Sequence, residues 1–363
     1  MKKKMLYIMH INWGWIKQRP QFAAEGLANV FDVTIAHQMS YKTKDNTSEK
    51  STLKVFKFFA LPFKSRSRTL SIINKFLVRL EFRLFVKVKL YDFIWITYPE
   101  LYEYISDLLN KDTVLIYDCM DDVLEFPNVI KNNNLKDRLF SAEKLLCINS
   151  KQIFCSSDYL KSKIIQRYSL SEDKVMVINN GISFENLKKI NHDSDFLNKF
   201  FLANGKKKIV YIGTISHWFD FDLLFYSLDK IDNIEYLLFG PTEVQIPQHE
   251  RIIYAGSVKH EYVSLIMKNS DVLVMPFTVN ELIKSVNPVK AYEYIYSGKP
   301  SLIVEYAETQ KFVPYLYLYK DMEDYVKQLQ LLIEGKSKSI DIKAKISFLE
   351  QSQWSYKIKQ FTK

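Results

Sequence analysis

Short apolar runs alternate with helix-period segments almost from end to end of this chain, and a series of that kind is buried by parallel sheets with helices on their faces. The first series of strand-like runs is Met5–His10, Asp32–Ala36, Lys54–Ala60, Asp92–Thr97, Val114–Asp118, Gln152–Ser156 and Lys174–Ile178. It restarts with Lys208–Ile212, Glu235–Phe239, Arg251–Tyr254, Asp271–Met275 and Ser301–Val304. The expected class is α/β, with two doubly wound Rossmann-like halves. At 363 residues the chain exceeds the ~250–300 at which one hydrophobic core stops growing. Turn chemistry at Asn179-Asn180-Gly181 and Asn204-Gly205 marks the boundary. The expected division is an N-terminal domain 1–180, a linker 181–207, a C-terminal domain 208–339, and a terminal helix 340–363 packing on one of the two.

The longest apolar runs, such as Ile209 to Ile215 and Val272 to Phe277, fall far short of the ~20 residues of a membrane span. Polar residues His10, Asn12 and Gln18 interrupt the stretch after Lys2 to Lys4, which reads as a first buried strand and not as a secretory signal. Cys119, Cys147 and Cys155 form no C-x-x-C pair, so neither a disulfide framework nor a zinc site is indicated and a reducing cytoplasm fits. The net charge of +10 is concentrated between Lys42 and Lys89, where thirteen Lys and Arg face three acids. Either compositional drift or a local anionic partner explains it. Within it Lys75, Arg79, Arg83 and Lys87 recur every four residues beside an apolar stripe of Ile73, Phe76, Leu77, Leu80, Leu84 and Val88. Such a helix either lies on a bilayer surface as a peripheral membrane contact or packs in a domain with its basic face in water. No helix-turn-helix, RNP or zinc pattern supports a nucleic-acid partner.

Glycine is scarce, with nine in the chain, so each is more than usually required by backbone geometry or close approach. Gly213, Gly240 and Gly256 follow strands and Gly298 follows a helix. In open α/β sheets ligands bind beyond the carboxyl ends of the strands, which assigns nucleotide binding to the second half. Neither G-x-G-x-x-G nor G-x-x-x-x-G-K-[ST] occurs, which argues against ordinary dehydrogenases and P-loop enzymes.

The sharpest motif runs from Ser285 to Pro300, SVNPVKAYEYIYSGKP. Asn287 is a suitable N-cap, Pro288 suits the first helical position, and Gly298-Lys299-Pro300 ends the helix. Exposed amides at its start favour phosphate, and Lys290 and Glu293, three apart, share a face. A cation for a diphosphate and a carboxylate for ribose hydroxyls would sit side by side; the alternative is a surface ion pair.

This segment resembles the nucleotide-binding half of GT-B glycosyltransferases, particularly glycosyltransferase family 4 and related group 1 enzymes of surface-polysaccharide assembly. There a helix with E-x7-E ends in G-x-P and its second Glu binds the donor ribose. Glu293 matches that residue, whereas the first Glu is replaced by Ser285. Trp13-Gly14-Trp15-Ile16-Lys17-Gln18-Arg19-Pro20-Gln21 looks like the W-x-W-x-x-x-R-P-Q opening of some polysaccharide and teichuronic-acid glycosyltransferases. The resemblance implies a GT-B fold of two domains facing a cleft, with Arg19 on the donor diphosphate or an acceptor phosphate, Gln18 and Gln21 on acceptor hydroxyls, and Trp13 and Trp15 stacking on a sugar; the alternative is two buried tryptophans and a helix start. Gly213-Thr214 and Gly256-Ser257 match loops that hold the donor phosphates and base. Tyr117-Asp118-Cys119-Met120-Asp121-Asp122 occupies the loop that places a polar residue, commonly His, under the acceptor hydroxyl. Asp121 is the first candidate for that role and Asp118 the second. The competing reading of the three acids as a metal site finds no nearby His.

The expected function is transfer of a sugar from a nucleotide-sugar donor to a lipid-linked or polysaccharide acceptor at the cytoplasmic membrane face. The resemblance implies retention of configuration, and no metal or other cofactor is expected. The alternatives are a sugar-nucleotide epimerase of the same fold and a non-enzymatic protein that binds anionic surfaces.

Overall fold

The computed structural model describes residues 2–14, 17–39, 52–61, 67–188 and 193–362. The chain divides into two units, one of Met1–Asn179 with Lys357–Lys363 and one of Asn180–Tyr356. Unit 1 holds a seven-stranded parallel sheet of β1 (Lys4–Met9), β2 (Asp32–Gln38), β3 (Lys54–Phe58), β4 (Phe93–Ile96), β5 (Val114–Cys119), β6 (Gln152–Cys155) and β7 (Val175–Val177). The order is β3-β2-β1-β4-β5-β6-β7, so the winding reverses between β1 and β4. Met5 to Met9 are all buried, as a strand covered on both faces requires. Trp95 of β4 stacks between Tyr7 of β1 and Phe154 of β6, with ring centroids 5.7 and 5.4 Å away.

Three helices bear on the site. Helix α1 (Arg19–Leu27) has Pro20 in its first turn, where a missing N–H is harmless. Helix α2 (Arg68–Glu81) is capped by the Ser67 hydroxyl, continues as a π-turn over Phe82–Val86, and stops where Lys87 turns left-handed at φ 54°. Helix α3 (Pro99–Ile105) follows β4.

Unit 2 is a six-stranded parallel sheet of β8 (Lys207–Ile212), β9 (Ile234–Phe239), β10 (Ile252–Gly256), β11 (Val272–Met275), β12 (Ser301–Val304) and β13 (Tyr317–Tyr319). Its order, β10-β9-β8-β11-β12-β13, reverses between β8 and β11. The three-residue β13 is too short to show alternation and is absent from the sequence reading.

Two domain boundaries differ from expectation. Residues 181–207, expected as a linker with one short helix, hold two, Phe184–Lys188 and Ser194–Phe200, and Phe196 and Phe200 pack on Phe239 at 6.0 and 5.4 Å between ring centroids. The expected single terminal helix is two, Ile342–Gln351 and Trp354–Phe361. Ser352 O accepts from Ile182 N and Trp354 N donates to Ile182 O, both within unit 2. Phe361, in unit 1, meets Trp95 and Phe154 edge-on. The segment therefore serves both cores, not one.

One of the scarce glycines, Gly240, is required by the sheet itself, where it meets Gly213 and Gly256. Gly213 N donates to Phe239 O, and Gly240 N donates to Gly256 O. A Cβ on Gly240, whose φ is +139°, would stand 1.9 Å from Gly213 O. Gly240→Ala is expected to lower unfolding free energy by about 3 kcal/mol or more in urea titrations, through steric overlap added to backbone strain. Gly335→Ala, with φ +76° and nothing within 4 Å of the new Cβ, should lose only about 1–2 kcal/mol.

Candidate active site

Asp118, next to last in β5, is fully buried, and its Oδ1 accepts from Arg19 Nε at 3.0 Å and Nη2 at 2.7 Å. Arg19 Nη1 donates to Ile178 O at 2.5 Å, and Phe361 lies under the guanidinium with its centroid 5.3 Å away. This corrects two expectations. Arg19 is a buried strut between α1, β5 and the residue after β7, not an open phosphate ligand. Asp118 is its counter-ion, not a base under the acceptor.

Asp122 is likewise committed. It accepts from Arg167 Nη1 at 2.9 Å and Nη2 at 2.6 Å, and Lys163 Nζ lies 3.0 Å away. Burial alone would raise its pKa, but these cations hold it below the usual carboxylate value. Arg167 also reaches Glu143 at 3.2 Å, whose carboxylate accepts from the Tyr117 and Tyr168 hydroxyls at 2.7 Å each. Burial raises the Glu143 pKa.

Asp121 stands between these two clusters. Its half-buried carboxyl is pushed up to about 6 by desolvation, which Arg19 opposes and the charges of Asp122 and Asp118 reinforce. It lines a notch of about 10 Å³, roughly one water, with His10, Thr97, Tyr98, Tyr117 and Met120 among the other walls. His10 Nδ1 lies 2.9 Å from Thr97 Oγ1 and its ring lies 5.1 Å from Tyr98. Although the ring keeps an exposed edge, desolvation lowers its pKa to about 4 and leaves it neutral at pH 7. His10 and Thr97 follow β1 and β4, the strands where the winding reverses, so this notch lies where open α/β sheets bind ligands. Sequence reasoning missed His10, Thr97 and Arg167. The first two were legible as polar residues at strand ends.

The opening loop serves structure more than expected. Gln21 is buried; its Oε1 accepts from Gln18 N at 3.1 Å and its Nε2 donates to Asn12 O at 3.3 Å, so it is not an open acceptor ligand. Gln18 is exposed and Trp13 half-buried. Trp15 lies outside the described residues.

In unit 2, Lys290 and Glu293 lie near the start of the helix Val289–Ser297, with Nζ and Oε2 2.5 Å apart. The Tyr294 hydroxyl places that helix: it accepts from Ile212 N at 3.4 Å and donates to Val274 O at 3.3 Å, tying it to β8 and β11 at the reversal of winding. His260, in the short turn His260–Tyr262 after β10, belongs to the same neighbourhood. Burial lowers its pKa, while the Glu293 charge opposes that shift and Lys290 adds to it. Sequence reasoning missed it too.

Two expected donor contacts are engaged elsewhere. Pro288 occupies the N-cap position and no side chain caps the helix; Asn287 Oδ1 instead accepts from Asn180 N at 3.0 Å and from the Tyr292 hydroxyl at 3.1 Å. Ser285 is fully buried and its hydroxyl donates to Leu282 O at 2.7 Å. Gly213 and Gly256 lie at the ends of β8 and β10, Thr214 O accepts from the Tyr211 hydroxyl at 2.8 Å, and Ser257 is exposed.

The basic stripe is divided. Lys75 lies 3.9 Å from Glu103 of α3 and Arg79 pairs with Asp107, whereas Arg83 and Lys87 are exposed. Among the described residues no helix is long and apolar enough to cross a membrane, and no group of three or more His, Cys, Asp or Glu is arranged to hold a metal ion.

No known family profile matches the chain. Over 240 residues it is 26% identical to a protein described as "Putative teichuronic acid biosynthesis glycosyltransferase TuaH" from Bacillus subtilis, covering 62% of this chain and 59% of that one. Among solved structures it superposes on sucrose-phosphate synthase of Thermosynechococcus elongatus with a TM-score of 0.72 at 12% identity, over 99% of this chain and 98% of that one. HepE of Anabaena in complex with UDP gives 0.68 at 14% identity, and the apo lipopolysaccharide outer core galactosyltransferase WaaB gives 0.65 at 13%, each over 99% of this chain and 98% of the other. Along nearly its whole length, then, the chain has the fold of the GT-B glycosyltransferases, two Rossmann-like α/β units, and part of it is similar in sequence to a teichuronic-acid glycosyltransferase.

Proposed function

We propose that the chain is a glycosyltransferase that moves a sugar from a nucleotide-sugar donor to a hydroxyl of a membrane-associated glycan, lipid-linked or polysaccharide, at the cytoplasmic face. The observation that carries this reading is Asp121, a carboxyl with a pKa of about 6 in a notch that fits one oxygen atom. A group so poised accepts a hydroxyl proton near neutral pH. As that O–H bond breaks, the hydroxyl oxygen bonds to the sugar's anomeric carbon, and the bond from that carbon to the nucleoside diphosphate breaks.

The departing diphosphate gathers negative charge, which Lys290 and the amides opening the helix Val289–Ser297 are suited to receive. Glu293 binds the ribose hydroxyls, with Gly213, Thr214, Gly256, Ser257 and His260 around the phosphates and base. Trp13, Trp15 and Gln18 contact the acceptor. The reaction requires no metal ion, and the likeness to family 4 supports retention of anomeric configuration, for which the acceptor oxygen must bond on the same face of the sugar that the diphosphate leaves. UDP in the HepE complex supports the nucleotide class.

Glu293→Ala should weaken nucleotide binding roughly ten- to hundredfold in calorimetric titration with UDP-, GDP- and dTDP-sugars, since charged hydrogen bonds contribute about 1.5–3 kcal/mol. Unchanged affinity for every nucleotide the parent binds would refute the assignment.

Asp121→Asn should cut turnover by about 10²–10⁴ with donor affinity retained. Stability should move the other way. The unfolded chain releases this proton near 3.8 and the folded chain keeps it to about 6, so the folded state binds more protons in that window and stability falls as pH rises through it. Asp121→Asn removes the penalty, and the variant should be about 1–2 kcal/mol more stable than the parent at pH 7.5, with no advantage below pH 4. Urea unfolding at the two pH values, beside the turnover assay, distinguishes a poised carboxyl from a merely structural one.

A further inference from the structure

Helix α2 and the π-turn after it bury one side and leave the opposite one uncovered. Val78, Phe82 and Val86, with Asn74, enter the unit 1 core at four-residue spacing. Ile72, Ile73, Phe76, Leu80 and Leu84 project from the other side, and Phe85 beside them is the most exposed at 70%, followed by Phe76 at 65% and Ile72 at 61%. Large apolar side chains exposed together along a surface of about 20 Å mark a contact site. The sequence pattern suggested basic residues outward beside an apolar stripe of unknown exposure. In the fold, Lys75 turns toward Glu103 of α3 and Arg79 toward Asp107 just after it, and it is the apolar stripe that meets solvent.

We propose that this face inserts into the interfacial layer of an anionic lipid bilayer, with Ile72, Phe76, Leu84 and Phe85 entering the acyl boundary and Arg83, Lys87 and Lys89 meeting the headgroups. The three cations are exposed at the carboxyl end of the same segment, where their charge complements anionic lipid. A second copy of the chain fits less well, because its own segment from Ile72 to Lys89 offers a single acid, Glu81, to the partner's Arg83, Lys87 and Lys89. The helix would lie in the membrane plane. The contact supplies a reason for the membrane-associated acceptor proposed above, but its test needs no substrate.

The test is cosedimentation of the full chain with vesicles of phosphatidylcholine containing phosphatidylglycerol, beside pure phosphatidylcholine, at low and high salt. Binding to the anionic vesicles is expected, with a fraction retained at high salt because insertion is not screened. Phe76→Ser/Phe85→Ser should weaken it at least tenfold at every salt concentration. Arg83→Gln/Lys87→Gln/Lys89→Gln should weaken it at low salt only, and Lys75→Gln/Arg79→Gln should change it by less than about twofold. Thermal unfolding and nucleotide binding should match the parent in each variant. Should the serine pair lower the unfolding midpoint, Phe85→Trp provides a second readout, quenching of the new indole by bromine-labelled lipid. Parent protein that ignores anionic vesicles, serine variants that bind as the parent does, or a solution dimer that the serine pair splits in the absence of vesicle binding would each overturn the proposal.

Discussion

The ion pair of Arg19 with Asp118 is the contact on which the rest of unit 1 depends. It is nearly inaccessible to water, and a buried pair that loses one partner leaves an uncompensated charge at a cost of about 3–5 kcal/mol. Through it the start of α1, the end of β5 and the carbonyl of Ile178 hold one another, while Phe361 covers the guanidinium. The carboxyl edge of the sheet is thereby rigid at the point where the candidate chemistry sits.

Rigidity there has an electrostatic result. Of three acids in five residues, two are neutralised by arginines and the one between them is not. Asp121 lies beside both neutralised carboxylates and keeps its proton nearly to neutrality. The same burial that destabilises its charged form prepares it to take a proton from a hydroxyl, so the folded protein tolerates a stability penalty at the position proposed for catalysis.

In unit 2 the comparable constraint is close backbone approach. Gly240 lets the ends of β8 and β9 come together, its Cα facing Gly213 O, and Tyr294 ties the helix bearing Lys290 and Glu293 to β8 and β11. Gly240 shapes the platform from within the sheet. Asn287 and Ser285, which share the motif with Glu293, bond to Asn180 and Leu282 and brace the same platform from beneath.

The sequence by itself determined the α/β class, the two-unit division near Asn179, and the strand order in the chain, because hydrophobic periodicity and turn residues are local signals. It also located Asp118 to Asp122 at a strand end and Lys290 with Glu293 on one helix face. It did not reveal β13, whose three residues carry no period, or the break in the last helix at Ser352 and Gln353. Nor did it divide labour among the acids. That depended on Arg19, 99 residues from Asp118, and Arg167, 45 residues from Asp122. Likewise α2 was legible as amphipathic, but which stripe faced water depended on Glu103 and Asp107, which meet Lys75 and Arg79, and on the core that took Val78 and Phe82. Charge pairing and burial act between residues that meet only after folding, and for that reason the tertiary structure alone decided which carboxyl stayed free to take a proton and which helix face stayed bare.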